Sequence, residues 1–277
     1  MFDSLDACID VWKRAGNHGS KEERIERNLR WMRYYAYVYD QQRDMEASVD
    51  PHAADIVETL FRQGYLTPES SVLDIGSGTG AYALAFASRC AEVTALDMEP
   101  TSLAILQEHA AQLGLNNITC QEGMWETCQL NRTFSVVFSS MCPAICDYEE
   151  LCRMESFSER ACGIVAVTRG SYDLHRKRLM ELFNVRSPAG MTTEALWYYE
   201  SLYLAGKQPN VRSWSNQYAY ETPVEEACRR NEIYFEIFGI PAEQSRPLLQ
   251  QYFISQAKDG LVPDETQLNT ALISWSV

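Results

Sequence analysis

The feature that most constrains this chain is the run Val72-Leu73-Asp74-Ile75-Gly76-Ser77-Gly78-Thr79-Gly80, which leads into Ala81-Tyr82-Ala83-Leu84-Ala85-Phe86-Ala87. An apolar run, three glycines at alternate positions and an alanine-rich run read as strand, tight turn and helix. The glycines allow backbone dihedrals and close approaches that a side chain forbids. The helix start beyond them presents free N–H groups. A strand feeding a helix this directly belongs in a parallel sheet with right-handed crossovers.

The loop also narrows its ligand. Its register is G-x-G-x-G, whereas a dinucleotide fingerprint is G-x-G-x-x-G, and it lacks the Gly-Lys-Ser/Thr ending of a nucleotide P-loop. Asp74 stands two positions before the first glycine. A carboxylate there repels a diphosphate and attracts the ammonium of an amino-acid moiety. The next apolar run, Val93-Thr94-Ala95-Leu96, ends in Asp97 and is followed by Met98-Glu99-Pro100 and a helical pattern. An acid at that strand end suits two ribose hydroxyls.

Three parts follow from the pattern: 1–68, 69–170 and 171–277. The first reads as helical, with Ile25, Leu29, Met32 and Ala36 on one face, widened by Trp31, Tyr34, Tyr35 and Val38. Arg24, Arg27, Arg30 and Arg33 form an adjoining stripe, with Glu22, Glu23 and Glu26 nearby. Two readings stand: a solvated face of paired charges, or a lid whose aromatic and basic residues close over a ligand. The middle part alternates strand candidates (Ser71–Ile75, Glu92–Leu96, Asn117–Gln121, Phe134–Ser139, Gly163–Thr168) with helices Tyr82–Ser88, Thr101–Leu113 and Tyr148–Arg160. Its apolar runs are continuous, as in strands covered on both faces. Gly114 stops the second helix, and Asp147 with Glu150 forms a capping box for the third. In the last part Thr192 caps a helix ending at Gly206, and Thr222-Pro223-Val224-Glu225 starts another with Thr222 as the cap. Asn210–Ala219 and Thr270–Val277 are its strand candidates.

Asp74 to Gly80 together with Asp97 resemble the first two motifs of the class I S-adenosylmethionine-dependent methyltransferases. The resemblance covers residues 69–170. It implies an α/β fold, a doubly wound sheet of seven strands, mostly parallel with the last antiparallel, carrying an N-terminal helical lid and a helical C-terminal elaboration. It implies S-adenosyl-L-methionine as cofactor, with Asp74, Gly76, Ser77, Gly78 and Gly80 at the methionine end and Asp97 on the ribose. Where the family often has an acid near the adenine amine this chain has Met124, so a backbone contact there, with Met98 and Trp125 packing, is the expectation. Ser139 and, on the substrate side, Ser140, Met141 and Cys142 follow the fourth strand, where the family meets the transferred methyl. Tyr34 and Tyr35 join them from the lid. The run Ser139-Ser140-Met141-Cys142-Pro143 is not the Asn/Asp-Pro-Pro-Tyr/Phe motif often carried by enzymes that methylate nucleic-acid or protein nitrogens, which favours a small-molecule acceptor. Among Trp197, Tyr198, Tyr199, Tyr203, Trp214 and Tyr218, part of the pocket wall is expected, with most of them read as core at helical spacing.

Composition closes other classes. With 24 Lys+Arg against 38 Asp+Glu the chain carries a net −14, which disfavours a nucleic-acid partner. No run of about 18 apolar residues reads as a membrane span, and Met1 to Asp10 lacks the basic start of a signal peptide. The expectation is a cytoplasmic protein whose nine cysteines are reduced thiols. No C-x-x-C or H-E-x-x-H occurs, and His18, His52, His109 and His175 are scattered, so no metal is expected. Cys142, Cys146 and Cys152 form a cluster that reads either as soft-metal ligands or as small buried apolar residues. No catalytic base stands out. The reading is methyl transfer. A nicotinamide-dependent oxidoreductase and a non-catalytic sensor of the cofactor are the alternatives.

Overall fold

The glycine run does what its pattern predicts: strand β1 (Ser71–Ile75) turns through it into helix α4 (Ala81–Ala87). A computed structural model describes residues 2–16, 20–40, 46–185 and 194–277. Three helices precede β1: α1 (Leu5–Gly16), α2 (Lys21–Asp40) and α3 (Pro51–Arg62). After α4 come β2 (Glu92–Asp97), α5 (Pro100–Gln112), β3 (Ile118–Glu122), β4 (Phe134–Ser140), α6 (Tyr148–Ser156) and β5 (Ser158–Val167). The remainder is β6 (Tyr172–Asp173), α7 (Arg176–Leu182), α8 (Glu194–Leu204), β7 (Asn210–Pro223), α9 (Val224–Glu236), α10 (Ala242–Gln256) and β8 (Leu261–Ser276).

The strands form one sheet in the order β3-β2-β1-β4-β5-β8-β6, with β7 paired along the other side of β8. β1 to β5 are mutually parallel, and β8 runs antiparallel to both β5 and β7. The expected fold is therefore present, with eight strands where seven were expected. The additional one is the two-residue β6, hydrogen-bonded to β8 at Gln267 and Thr266 and too short to leave a period in the sequence.

Both faces of the sheet are covered. α3 and α4 bury Ile56, Leu60 and Phe86 against Val72, Phe138 and Leu272 on one face. On the other, Trp12 of α1, Leu151 and Met154 of α6 and Tyr198 of α8 pack on Leu73, Val137 and Trp275. A third cluster joins α7, α9 and α10 through Leu179, Phe235, Leu249 and Phe253, with Trp31 and Tyr34 of α2 against it.

Several sequence expectations shift. The helix expected over Tyr148–Arg160 stops at Ser156, where Phe157 N bonds back to Met154 O. Phe157 O then accepts from Phe134 N, so the ladder of β5 starts where helical spacing still ran on. Asp147 caps α6 by accepting from Glu150 N at 3.0 Å, but the Glu150 carboxylate accepts from Trp125 Nε1 at 2.6 Å instead. Thr222 is no helix cap: it pairs with Val262 in β7, and Pro223 takes the cap position of α9 with no side-chain bond. Sheet pairing outcompetes the local signal there. Leu29 is 42% exposed and leaves the apolar stripe, whereas Arg24 leaves the solvated one to pair with Asp147 at the start of α6. Arg30 pairs with Glu26 and donates to Ile237 O. Thr192 and His18 lie outside the described residues.

Phe138 is fully buried between Tyr82 and Phe86, with ring centroids 4.9 and 5.0 Å away. Phe138→Ala is expected to cost about 3–5 kcal/mol in urea denaturation, and Leu29→Ala to stay within roughly 0.5 kcal/mol of the parent.

Candidate functional site

Parallel pairing brings the C-terminal ends of β1, β2, β3 and β4 to one edge, where ligands of open α/β sheets bind. A cleft with an empty volume of about 810 Å³ opens there. Its floor is the glycine loop. Gly76 N and Ser77 N donate to Leu96 O at 2.8 and 3.1 Å, which ties the loop to β2. Gly76 has φ +70°, and a Cβ on it would lie 2.6 Å from Cys142 Sγ, so only glycine fits. Gly78, at φ +53°, passes beneath the Tyr39 ring; a Cβ there would lie 3.1 Å from the phenol oxygen.

Asp97 ends β2 inside the cleft. Its Oδ2 accepts from Gly78 N at 2.7 Å and its Oδ1 from Glu99 N at 2.9 Å. Burial raises its pKa, against the pull of those two N–H groups. Glu99, also in the wall, caps α5 by accepting from Thr101 N (3.1 Å), Ser102 N (2.5 Å) and Ser102 Oγ (2.8 Å). Burial alone would raise the Glu99 pKa, but the Ser102 and Thr101 bonds hold it below the ordinary value. Asp74 lies beneath the loop, 1% exposed, with Oδ2 unpartnered. Burial first, then the Asp97 charge, push its pKa to about 7, with the Ala83 amide pulling the other way.

Of the expected residues, Gly76, Gly78, Asp97, Met98, Met124, Trp125, Ser140, Met141, Cys142 and Tyr35 share the cleft wall. Asp74, Ser77, Gly80, Ser139 and Tyr34 stand behind it. Gly80 is the N-cap of α4. Ser139 is 1% exposed and donates its hydroxyl to Ile75 O at 3.0 Å. Tyr34 turns to Tyr234, 5.5 Å between centroids. Trp125 shows the cleft little of itself: it is 3% exposed, with Arg153 stacked 4.2 Å over its ring. None of the C-terminal aromatics enters the wall. Tyr198 is core and bonds Ile145 O, Trp214 Nε1 donates to Asp55 at 2.7 Å, and Tyr203 and Tyr218 are exposed.

Sequence reasoning missed Asn28, Tyr39 and Glu126. α2 lies along the cleft and contributes Asn28, Trp31, Met32, Tyr35 and Tyr39, one helical stripe. A polar Asn at the head of that stripe does not register as part of an apolar face. Asn28 is 2% exposed and donates Nδ2 to Glu126 Oε1 at 2.5 Å, while its Oδ1 has no partner. Burial, with Asp97 and Tyr34 adding, holds the Tyr39 phenol well above its ordinary pKa, so it stays neutral.

The cysteine cluster is dispersed in chemistry. Burial pushes the Cys142 and Cys146 thiols up to about 12, and Cys152 is exposed. Among the described residues no three His, Cys, Asp or Glu side chains group as a metal site. Nor is any described helix long and apolar enough to cross a membrane. Met141, just past β4, has φ +47°, a strained backbone at the mouth of the cleft.

Known proteins resemble this chain. Residues 72–156 match the family model of a methyltransferase domain. A release factor glutamine methyltransferase of Vibrio cholerae is 37% identical over 77 residues, 27% of this chain and 27% of that protein. A ribosomal RNA small subunit methyltransferase G of Deinococcus radiodurans is 41% identical over 78 residues, 27% of this chain and 30% of its own length. The chain thus spans under a third of the curated relatives it matches. In fold, the YcgJ protein of Bacillus subtilis superposes with a TM-score of 0.50 at 16% identity, over 82% of this chain and 98% of that one.

Asp74 gives this edge a pH signature. A carboxylate whose folded pKa lies above its unfolded one supports the fold below the unfolded value, and that support is lost as pH rises through the folded one. With a folded value of about 7, Asp74→Asn is expected to raise the melting temperature of the ligand-free protein at pH 8. At pH 5, where Asp74 is protonated anyway, little change is expected. Calorimetric scans at both pH values check this.

Proposed function

We propose that this chain, which carries a class I S-adenosylmethionine-dependent methyltransferase domain, transfers the methyl group of S-adenosyl-L-methionine to a small-molecule acceptor. The observation that carries the reading is the Asp74–glycine loop–Asp97 arrangement. A buried acid with an orphaned oxygen stands under the loop, and a second acid hydrogen-bonded to the loop faces the cleft.

These residues fit the cofactor. The orphaned Asp74 oxygen suits an ammonium group, directly or through the loop. Asp97 presents carboxylate lone pairs to two ribose hydroxyls while its backbone bonds hold its orientation. Met98 and Met124 flank the adenine position from the ends of β2 and β3, and the loop backbone at Gly76 and Gly78 lets a ligand approach where a Cβ would block it. The bound cofactor supplies an already activated methyl, so the chain's task is alignment and exclusion of water. Ser140, Met141 and the neutral Cys142 thiol bound the methyl position from the end of β4. The high thiol pKa keeps Cys142 from acting as a competing nucleophile beside the donor. α2 covers one side of the cleft with Asn28, Trp31, Met32, Tyr35 and Tyr39.

A small acceptor is favoured by this cover, by the acidic chain and by a wall that has no Lys, Arg or His among its described residues. A polyanionic backbone finds no counter-charge there. The Asn/Asp-Pro-Pro-Tyr/Phe motif is absent from the β4 exit.

Calorimetry with S-adenosylhomocysteine and NADH tests the cofactor. Binding of S-adenosylhomocysteine without NADH is expected, and the reverse overturns the reading. Asp97→Ala should weaken S-adenosylhomocysteine more than tenfold, because a charge-assisted bidentate contact is lost. Affinity for the ligand should also fall as pH drops below about 7, where Asp74 takes up a proton.

A further inference from the structure

Three aromatic rings stand in a ladder along the cleft face of α2. Trp31 stacks on Tyr35 with centroids 5.5 Å apart and planes at 24°, and Tyr35 stacks on Tyr39 at 5.4 Å and 12°. All three line the cleft. One turn before Trp31, on the same stripe, Asn28 holds Glu126. The wall contains three carboxylates. Asp97 is bound to the glycine loop and Glu99 is consumed in capping α5. Glu126, 7% exposed, is engaged only through one oxygen by Asn28 in the contacts described. Asn28 Oδ1, beside it, is buried with no donor at all. This end of the cleft is thus walled by aromatic rings and hydrogen-bond acceptors, with no described cationic side chain.

We propose that the methyl acceptor is an amine bearing at least one N–H, packed against the Trp31–Tyr35–Tyr39 ladder with its nitrogen toward Glu126 and Asn28. The proposal rests on the methyl-transfer reading above and names its substrate class. A carboxylate in a wall without a cation attracts an ammonium, and a buried acceptor oxygen without a donor costs free energy that an N–H recovers. A carboxylic acid or phosphate would meet the Glu126 charge. A thiol would leave Asn28 unsatisfied. The chemistry balances without a further reagent. The ammonium recognised by the wall first gives one proton to water, and the neutral nitrogen's lone pair then forms the N–C bond to the sulfonium methyl as the S–C bond breaks and its electron pair stays on sulfur. Positive charge moves from sulfur to nitrogen, and an N–H proton leaves to water. The wall that recognises the amine therefore also stabilises the charge that develops on it.

The experiment compares three probes of one shape at pH 7.5: benzylamine, a cation, neutral benzyl alcohol and anionic benzoate. Binding is read by calorimetry, with S-adenosylhomocysteine affinity measured on the same sample. Benzylamine should bind at least tenfold more tightly than benzyl alcohol, and benzoate most weakly. Glu126→Gln and Tyr35→Leu should each shrink that ratio severalfold, while Tyr35→Phe, which keeps the ring, should preserve it. Labelled methyl should enter a panel of primary and secondary amines and not thiols or carboxylic acids. Equal binding of the amine and the alcohol, a preference for benzoate, or label appearing in thiols, acids or RNA overturns the amine assignment. If S-adenosylhomocysteine binds while the amine preference is absent, the acceptor class alone fails. If S-adenosylhomocysteine does not bind, the methyl-transfer reading and this proposal fall together. Melting temperatures of all variants verify folding, and should Glu126→Gln not fold, Trp31→Phe against Trp31→Leu makes the same comparison.

Discussion

The bond from Gly78 N–H to the Asp97 carboxylate, 2.7 Å long, joins the ends of two neighbouring parallel strands. Everything at the cleft depends on it. The glycine loop is held against β2 by this contact and by the amides of Gly76 and Ser77 on Leu96 O. The loop in turn sets where α4 begins and where Cys142 and Tyr39 come to rest above it. An acid at that position is costly in isolation, because burial opposes its charge. The backbone N–H groups of Gly78 and Glu99 offset the cost and fix the orientation of its oxygens.

A second acid, Asp74, is placed under less favourable terms. It is nearly inaccessible, one oxygen lacks a partner, and Asp97 stands close enough to raise its pKa further. Unsatisfied buried polar groups are rare in folded proteins and concentrate where a ligand completes them. The fold carries this strain on rigid elements: β1 is flanked on both sides by parallel partners, and α3 and α4 seal it from one face. Such a frame can hold a destabilising charge until a cation offsets it.

α2 connects the two halves of the molecule. Arg24 anchors its start to Asp147 at the head of α6, and Trp31 and Tyr34 pack on Tyr234 of α9. The adjoining stripe, which runs from Asn28 through Trp31 to Tyr39, lines the cleft. The C-terminal helices therefore act on the site indirectly, by supporting this helix, and their own aromatics serve the core or the surface. This explains why Trp197, Tyr199 and Tyr203 are absent from the cleft wall.

The strand–glycine–helix unit, the second acid and the parallel core were legible from the sequence, because each is a local signal: an apolar run has one period, and the glycines of the loop mark where the backbone turns left-handed. Residues 72–97 thus determined the fold class by themselves and set the expectation for the kind of ligand. The partners of each helix face were not local. Whether α2 shows its Asn28–Tyr39 stripe or its Leu29 side to the cleft is set by which stripe complements α9 and the glycine loop, and the sequence carries apolar residues on both. Thr222 joined a sheet rather than a helix because Val262, forty residues on, offered it a ladder partner. Glu126 became part of the cleft only because Asn28, distant in the chain, reaches it. Charge and hydrogen-bond complementarity between remote segments is a property of the packed chain, and it was tertiary structure that turned the C-terminal edge of the parallel strands into a cleft with an acidic, aromatic wall.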